Sequence, residues 1–475
     1  MIPSEYFHSD GIMTDIPRQA RYSLINPRSF TPIKMILLMA ALWVAILTLA
    51  PIDIYRSDSL YPYVLLALSF FGLLAGLALF EPRAIPVMTV DPAERRRLLR
   101  RLYEIAFYLG AMGILLRVGD WILIRGLQLD LDFMENREKI ESAGSNALSM
   151  ASTLLVPFSL VPYMIYAVAR RNGDKVGKAW QSLGLVILWP VLTIIIGSRS
   201  MMMMSLGMLF ITRMTIFPRS SKLIVWICVV GALVMVYLGG LVFLERLTQI
   251  GLKPESVMKL SSFTKLAPVT DDYYRITASG SDVWRNTVFI FTTFSQYYVH
   301  GIPEFIYQIE HYKGADQWGA YTFNVFTRAG AAVWGFQYDV NATLLIPPRL
   351  GVYTTLFGPF YLDFGPLVPL FALLLGAAIS WTRCCVLRGD VGALPLYIAF
   401  VMQMTLTVAV NNFIGAYGIF YNAAFGAFWL GFIVLRRRTA QVSIAPLPGP
   451  IGGRTAPGPG PLAVDSPAQD PREAP

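Results

Sequence analysis

Charge is scarce in this sequence. Asp, Glu, Lys and Arg make up 15% of 475 residues while 55% are hydrophobic, against roughly 25% charged in an ordinary globular domain. With a mean hydropathy of +0.53, such a chain is expected to have lipid, not water, as its main solvent. Cysteine is almost absent: Cys228 lies inside one apolar run, and the neighbours Cys384 and Cys385 end another. Neither a disulfide framework nor zinc-type ligand spacing can be built from these. Also missing are a Walker loop, GxGxxG, HExxH and GxSxG, so the common nucleotide-driven and hydrolytic motifs are excluded. Asp130-Leu131-Asp132 has the look of a metal-binding carboxylate pair, but three residues are too few to be specific. The first thirty residues are polar and mixed, with no short apolar core ahead of a cleavage site, so the first apolar run is expected to serve as its own insertion signal.

What the sequence does have is long apolar runs. A membrane-crossing helix needs about 20 mostly apolar residues, and ten runs meet or approach that length: Ile33 to Ala50, Tyr63 to Phe80, Leu102 to Ile122, Ala151 to Val168, Ala179 to Ile196, Met201 to Phe217, Leu223 to Phe243, Pro366 to Trp381, Val391 to Val410 and Phe413 to Leu435. The expected fold is an all-α polytopic membrane protein of about ten transmembrane helices. Its organisation reads as a tail over 1–32, seven spans over 33–243, one large connection over 244–365, three more spans over 366–435, and a Pro/Gly-rich tail over 436–475. That tail cannot bury enough apolar surface to fold and is expected to be disordered.

The net charge of +9 falls mostly between the apolar runs and so does not signal nucleic acid. Alternate connections carry most of it: Arg83, Arg95 to Arg97, Arg100 and Arg101; Arg170, Arg171, Lys175 and Lys178; Arg213, Arg219 and Lys222; Arg383, Arg388 and Arg436 to Arg438. The other connections are poorer, with Arg56 alone after the first run, Arg199 alone between the fifth and sixth, and nothing basic in the Asn411-Asn412 turn. Cationic loops resist translocation, which puts both termini in the cytoplasm and the 244–365 connection on the far side. An eleventh span over Val288 to Val299 would push Arg436 to Arg438 outside; Trp284 to Glu310 reads better as an amphipathic, membrane-lying helix. The spans contribute few ionisable groups, and internal repeats of the kind found in many transporters do not stand out.

Candidate chemistry therefore concentrates in the large connection and at span ends. Arg199, in the tight turn IIIGSRSMMMM, is either an arginine snorkelling to lipid headgroups or a guanidinium poised for a lipid phosphate. Arg246, Arg275, Arg285 and Arg328, with Lys253, Lys259 and Lys265, are either solvated charge or further phosphate contacts. Aromatics interleave with them, Tyr297, Tyr298 and Trp318 among them, offering flat faces for sugar rings or simply suiting an interface. His300, Glu304, His311, Asp316 and Asp363 are the available proton acceptors. Asp363 serves equally as a cap for the helix opened by Pro366 or as a general base.

GSRS at Gly197 to Ser200, FSQYYVHGIPEF at Phe294 to Phe305 and YTTLFGPFYLDFGPL at Tyr353 to Leu367 carry a resemblance to the bacterial oligosaccharide repeat-unit polymerases, also called O-antigen polymerases. The resemblance extends over Ile33 to Leu435 and implies a bacterial inner-membrane glycosyltransferase without metal or other cofactor. Its substrate would be an undecaprenyl-pyrophosphate-linked oligosaccharide, its partners a chain-length regulator and a flippase in the same membrane, and not nucleic acid. On that reading Arg199, Arg246, Arg285 and Arg328 hold phosphate, Asp363, Glu304 or His300 takes the acceptor proton, and Tyr297, Tyr298 and Trp318 meet sugar. A lipid-linked-oligosaccharide transporter and an O-antigen-ligase-type transferase are the alternatives.

Overall fold

The computed structural model describes residues 31–80, 92–127, 135–136, 139–140, 146–194, 199–217, 222–249, 251–413 and 418–439. Residues 1–30 and 440–475 of the expected tails, the Asp130 to Asp132 carboxylates and Gly197 and Ser198 of the GSRS motif lie outside them, whereas 436–439, expected to be disordered, continue the last helix. Among the described residues the chain is helical, with no strands and one isolated bridge, Ile52 to Val269.

A helix stands at each of the ten apolar runs. They begin with α1 (Pro32–Leu49), α2 (Tyr61–Leu79) and α3 (Pro92–Gly119), which continues as a π-helical turn over Asp120–Ile124. Next come α4 (Ala147–Leu155), a 3₁₀ turn over Val156–Ser159 and α5 (Val161–Arg171), then α6 (Ala179–Ile194), α7 (Arg199–Ile216) and α8 (Lys222–Gln249). Eight short elements follow or close the large connection: α9 (Pro254–Leu260), α10 (Asp271–Ala278), α11 (Asp282–Val299), α12 (Gly301–His311), α13 (Asn324–Trp334), α14 (Val340–Leu344), α15 (Phe357–Phe364) and the 3₁₀ turn Gly365–Leu367. The last helices are α16 (Val368–Leu387), α17 (Leu394–Met404) and α18 (Gly418–Thr439). Five helical stretches are long and apolar enough to cross a membrane: Pro32–Leu49, Tyr61–Leu79, Pro92–Ile124, Ala147–Arg171 and Phe357–Leu387. Five shorter apolar helices accompany them, so the architecture is that of a multi-pass helical membrane protein.

The packing follows from composition. All of α17 is buried, as a helix apolar on every side must be, and its Tyr397 belongs to one core with Phe425, Phe357, Phe305 and Leu73. Leu37, Leu49, Phe71, Leu115 and Leu233 on the outer helices are exposed, the surface lipid would cover. The α2 and α16 backbones touch. A Cβ on Gly76 would meet the Leu373 carbonyl oxygen at 2.1 Å, and one on Gly376 the Leu73 carbonyl oxygen at 2.3 Å, so only glycine permits this crossing.

Two features depart from the sequence reading. α3 starts ten residues before its apolar run, because Arg95 and Arg96 find an anchor: both pair with buried Asp174, at 2.9 and 3.5 Å. The spans are also not bare of charge. Arg117 and Asp120 are buried in and beside α3, where the π turn sets Asp120 to accept from Arg125 Nε at 2.9 Å and Asn146 Nδ2 at 2.7 Å. Arg117 donates to Ser149 and Thr153 of α4.

The large connection is tied to the ends of several helices. Asp53 and Tyr55 backbone N–H groups donate to Pro268 and Leu266 carbonyls at 2.8 Å each. Leu356 N–H donates to the Thr407 carbonyl at 3.0 Å, and Asn411 Nδ2 to the Leu356 carbonyl at 2.9 Å. The expected membrane-lying segment Trp284 to Glu310 divides into α11 and α12 at His300 and Gly301. Gly301 sits so close to α17's trailing turn that a Cβ would lie 2.4 Å from the Ala409 carbonyl oxygen. The buried face of α11 includes Phe289, Thr292, Ser295, Gln296 and Val299, so α11 is a packed element of the protein.

Candidate functional site

α12 presents Glu304, Tyr307, Gln308 and His311 at i, i+3, i+4 and i+7, one helical face. Across that face runs the non-helical segment 346–355, bent over 347–351, in which Pro347 and Pro348 fix φ and exclude helix. Arg349 follows directly. Its guanidinium donates from Nη1 to Glu304 Oε1 and from Nη2 to the Ser262 carbonyl, and both partners of the ion pair are more than nine-tenths buried. The Arg349 guanidinium carbon and Lys265 Nζ lie 5.9 and 5.3 Å from the Tyr307 ring centre, within cation–π range.

Glu304, Tyr307, Gln308, Tyr321, Arg349 and Thr354, with Leu344, Leu350 and several prolines, line a pocket of about 120 Å³. A second, more open cleft of about 280 Å³ shares Pro348 with it and adds His311, Tyr312, Lys313 and Gln317. Burial dominates the ionisation of Glu304. It pushes the carboxyl up to about 7, although Arg349 and Lys265 pull the other way; desolvation here outweighs two nearby positive charges. The pocket thus holds a carboxylate that exchanges its proton near neutrality beside a permanently charged guanidinium.

His300 stands one turn before Glu304. Its Nδ1 faces two carbonyl oxygens, Tyr297 at 2.7 Å and Gln296 at 3.1 Å, which assigns the proton to Nδ1 and the lone pair to Nε2. Nε2 is buried with no hydrogen-bond partner. Phe263, Tyr297 and Tyr353 enclose the ring at 4.6, 5.9 and 6.4 Å between centres. Burial, above all, pushes its pKa down to about 4, so the imidazole is neutral at ordinary pH.

Around this pair the other expected residues are scattered. Asp363 is fully buried and neither caps α16 nor lines the pocket. Its Oδ1 accepts Tyr321 N–H at 2.9 Å, its Oδ2 accepts Thr322 N–H at 2.8 Å, and its own carbonyl accepts Trp318 N–H at 2.9 Å. Asp363 therefore clamps the 316–322 loop onto α15. Trp318, at the tip of that loop, is 73% exposed and has φ +50°, a left-handed conformation costly for a residue with a Cβ. Tyr298 is buried against α1, its hydroxyl donating to the Met39 carbonyl at 3.1 Å, and so presents no face to a sugar. Tyr297 is partly open, 5.4 Å from Tyr353. Arg285 is exposed in the first turn of α11 and pairs with Asp282. Arg328 is exposed on α13. Arg199 opens α7 and Arg246 lies near the end of α8.

Of the expected residues, Glu304 alone lines the pocket with Arg349, which sequence reasoning passed over. The available signal was the arginine directly behind Pro347-Pro348, two residues of fixed φ. Glu310, also unanticipated, accepts from Tyr55 at 2.5 Å and from Ser57, binding the α1–α2 connection to α12. Among the described residues no group of three or more His, Cys, Asp or Glu side chains could hold a metal ion. Compared with models of known protein families, with curated proteins and with solved structures, the chain matches none.

Proposed function

We propose that this protein is a membrane enzyme that joins lipid-linked oligosaccharide repeat units, with the Glu304–Arg349 pocket as its reaction site. The carrying observation is the pairing itself: a buried carboxyl that titrates near 7, beside a fixed guanidinium. In the proposed reaction a sugar hydroxyl attacks the anomeric carbon of a glycan borne on a polyprenyl pyrophosphate. The carbon–oxygen bond to pyrophosphate breaks, the lipid pyrophosphate leaves, and the hydroxyl proton passes to Glu304. Pyrophosphate is already a good leaving group, so its main need is charge stabilisation, which a planar guanidinium gives in bidentate fashion. Arrival of the anion would draw Arg349 from Glu304 and release the carboxylate to act as base.

In this reading Arg199, Arg246, Arg285 and Arg328 supply further phosphate contacts, His300 supports the reaction from beside Glu304, and Tyr297 and Trp318 offer ring faces to sugar. Ten spans, cytoplasmic termini, a bacterial inner membrane, a periplasmic site, and a chain-length regulator and flippase as neighbours belong to the same proposal. Asp363 is assigned to holding the loop, since both its oxygens are engaged.

One observation favours a second reading. The buried Arg117–Asp120–Arg125 group puts ionisable residues within the bundle, where a transporter of lipid-linked glycan would need them. The test is the size distribution of lipid-linked and surface glycan in cells lacking the gene, and then carrying the native chain or Glu304→Gln. Single repeat units at the cell surface, with long chains restored only by the native chain, are expected. Units trapped on the cytoplasmic side would replace this function with transport, full-length polymer left on its carrier with ligation, and an unchanged profile would end the glycan reading.

A further inference from the structure

The segment beyond the second cleft exposes the wrong residues for contact with water. On α13, Phe326, Val333 and Trp334 are open to 49, 75 and 79%, followed by Phe336 at 47%. The strip continues through Leu344, Leu345 and Leu350, all exposed. From Phe323 to Tyr338 the sequence has one charged side chain, Arg328. Phe326, Gly330, Val333 and Trp334 fall on one helical face, and the Trp334 ring lies over Gly330, where a Cβ would meet it at 3.0 Å.

Scattered exposed leucines need no explanation, but seven open large apolar side chains between Phe326 and Leu350, Trp334 the most exposed of them, do. Removing such side chains from water is favourable, so something apolar is expected to cover the strip. What covers it is indicated by its neighbours. The long apolar stretch Phe357–Leu387 begins a few residues beyond Leu350, and an amphipathic helix with Trp and Phe on its open face suits the boundary between headgroups and acyl chains. The strip also reaches the site: Leu344 and Leu350 are pocket-lining residues.

We propose that α13 and α14 lie in the bilayer surface, with Phe326, Val333, Trp334 and Leu345 among the acyl chains and the mouth of the Glu304–Arg349 pocket at headgroup level. The pocket then faces ligands whose polar head is carried on a hydrocarbon tail. The inference rests on the protein being in a membrane and does not depend on the glycan reaction.

The full chain with Cys228, Cys384 and Cys385 replaced by Ser, and with Val333→Cys labelled by a nitrobenzoxadiazole dye, is reconstituted into phosphatidylcholine vesicles. Arg275→Cys, on an exposed charged face of α10, is the water-facing reference. A shallow doxyl-labelled lipid should quench the Val333 label at least twofold more than the Arg275 label, and aqueous iodide should show the reverse order. Iodide quenching at Val333 equal to that at Arg275 would overturn the proposal in favour of water. A label shielded from both quenchers would overturn it in favour of a protein partner, such as a second copy. If the cysteine-free chain does not fold, the doxyl-quenched fluorescence lost on Trp334→Phe in the native background reads the same contact. Failure of the glycan reaction would leave every one of these readings unchanged.

Discussion

Glu304 and Asp363 are both buried carboxylates on helices of the large connection, and they are wired in opposite ways. Asp363 takes a backbone N–H on each oxygen, from Tyr321 and Thr322, donors that neither move nor change charge. Glu304 takes its principal contact from one arginine on a bent, non-helical segment, and that arginine also donates to the Ser262 carbonyl. A carboxylate held by backbone fixes structure; one held by a side chain at a pocket wall can be released. Position in the sequence does not distinguish them, and the identity of the donor does.

The largest expected effect comes from Asp363→Ala. Two N–H groups, one of them in a buried bond, lose carboxylate acceptors, so stability should fall by about 3–6 kcal/mol, at 1.5–3 per charge-assisted bond, with Asp363→Asn near half of that. Thermal unfolding in detergent checks it; a change under about 1 kcal/mol would show that Asp363 does not hold the 316–322 loop. The pocket pair should be cheaper and asymmetric. Glu304→Gln leaves a buried guanidinium without its anion and should cost about 3 kcal/mol, the low end for breaking a buried pair. Arg349→Ala leaves a carboxyl that can take a proton near pH 7 and should cost about 1 kcal/mol less. Equal losses, measured side by side, would show that Glu304 cannot neutralise itself.

The pH dependence of stability sharpens the same point. Glu304 titrates near 7 in the folded chain against an ordinary 4.5, so between those values the folded state keeps a proton that the unfolded state has lost. Its contribution to stability is full below 4.5 and falls as pH rises to 7. His300 titrates near 4 against 6.5, so its contribution rises over that interval. In the native chain the two oppose each other across their shared range. Glu304→Gln should unmask a rise in unfolding temperature from pH 4 to 6.5, and His300→Asn a fall from pH 4.5 to 7; the absence of either slope would remove the corresponding burial effect. The smallest effect is at Trp318. Replacement by Gly relieves a left-handed backbone and should stabilise by about 1 kcal/mol. If the proposed sugar contact is real, the same variant should also shorten the polymer.

The helices were legible from their apolar runs, because length and composition alone select helix in lipid. Their limits were not. α15 begins at Phe357, nine residues before the expected start at Pro366, because FGPFYLDF is itself apolar and Gly365, at φ +51°, breaks it from α16. The run from Val391 to Val410 is α-helical only through Met404 and then turns. Within the site, Glu304 was legible as an ionisable residue in an aromatic stretch. Arg349 was not, since its meaning depends on a partner 45 residues away and PPRLGVY has no period to read. The burial of Asp363 was equally hidden, for its donors lie 41 and 42 residues upstream.

The glycine crossing of α2 and α16 has a consequence in time. Phe80 N–H reaches Ser380 Oγ across 300 residues of chain, and the backbones above that bond are in direct contact. During synthesis α2 leaves the ribosome long before α16 exists, so its glycine face must wait in the membrane while some three hundred residues are made and inserted. A chain stopped short of α16 has no surface that fits Gly72 and Gly76. Closure of this seam is therefore among the late steps of folding, possible only once α16 has been made and inserted.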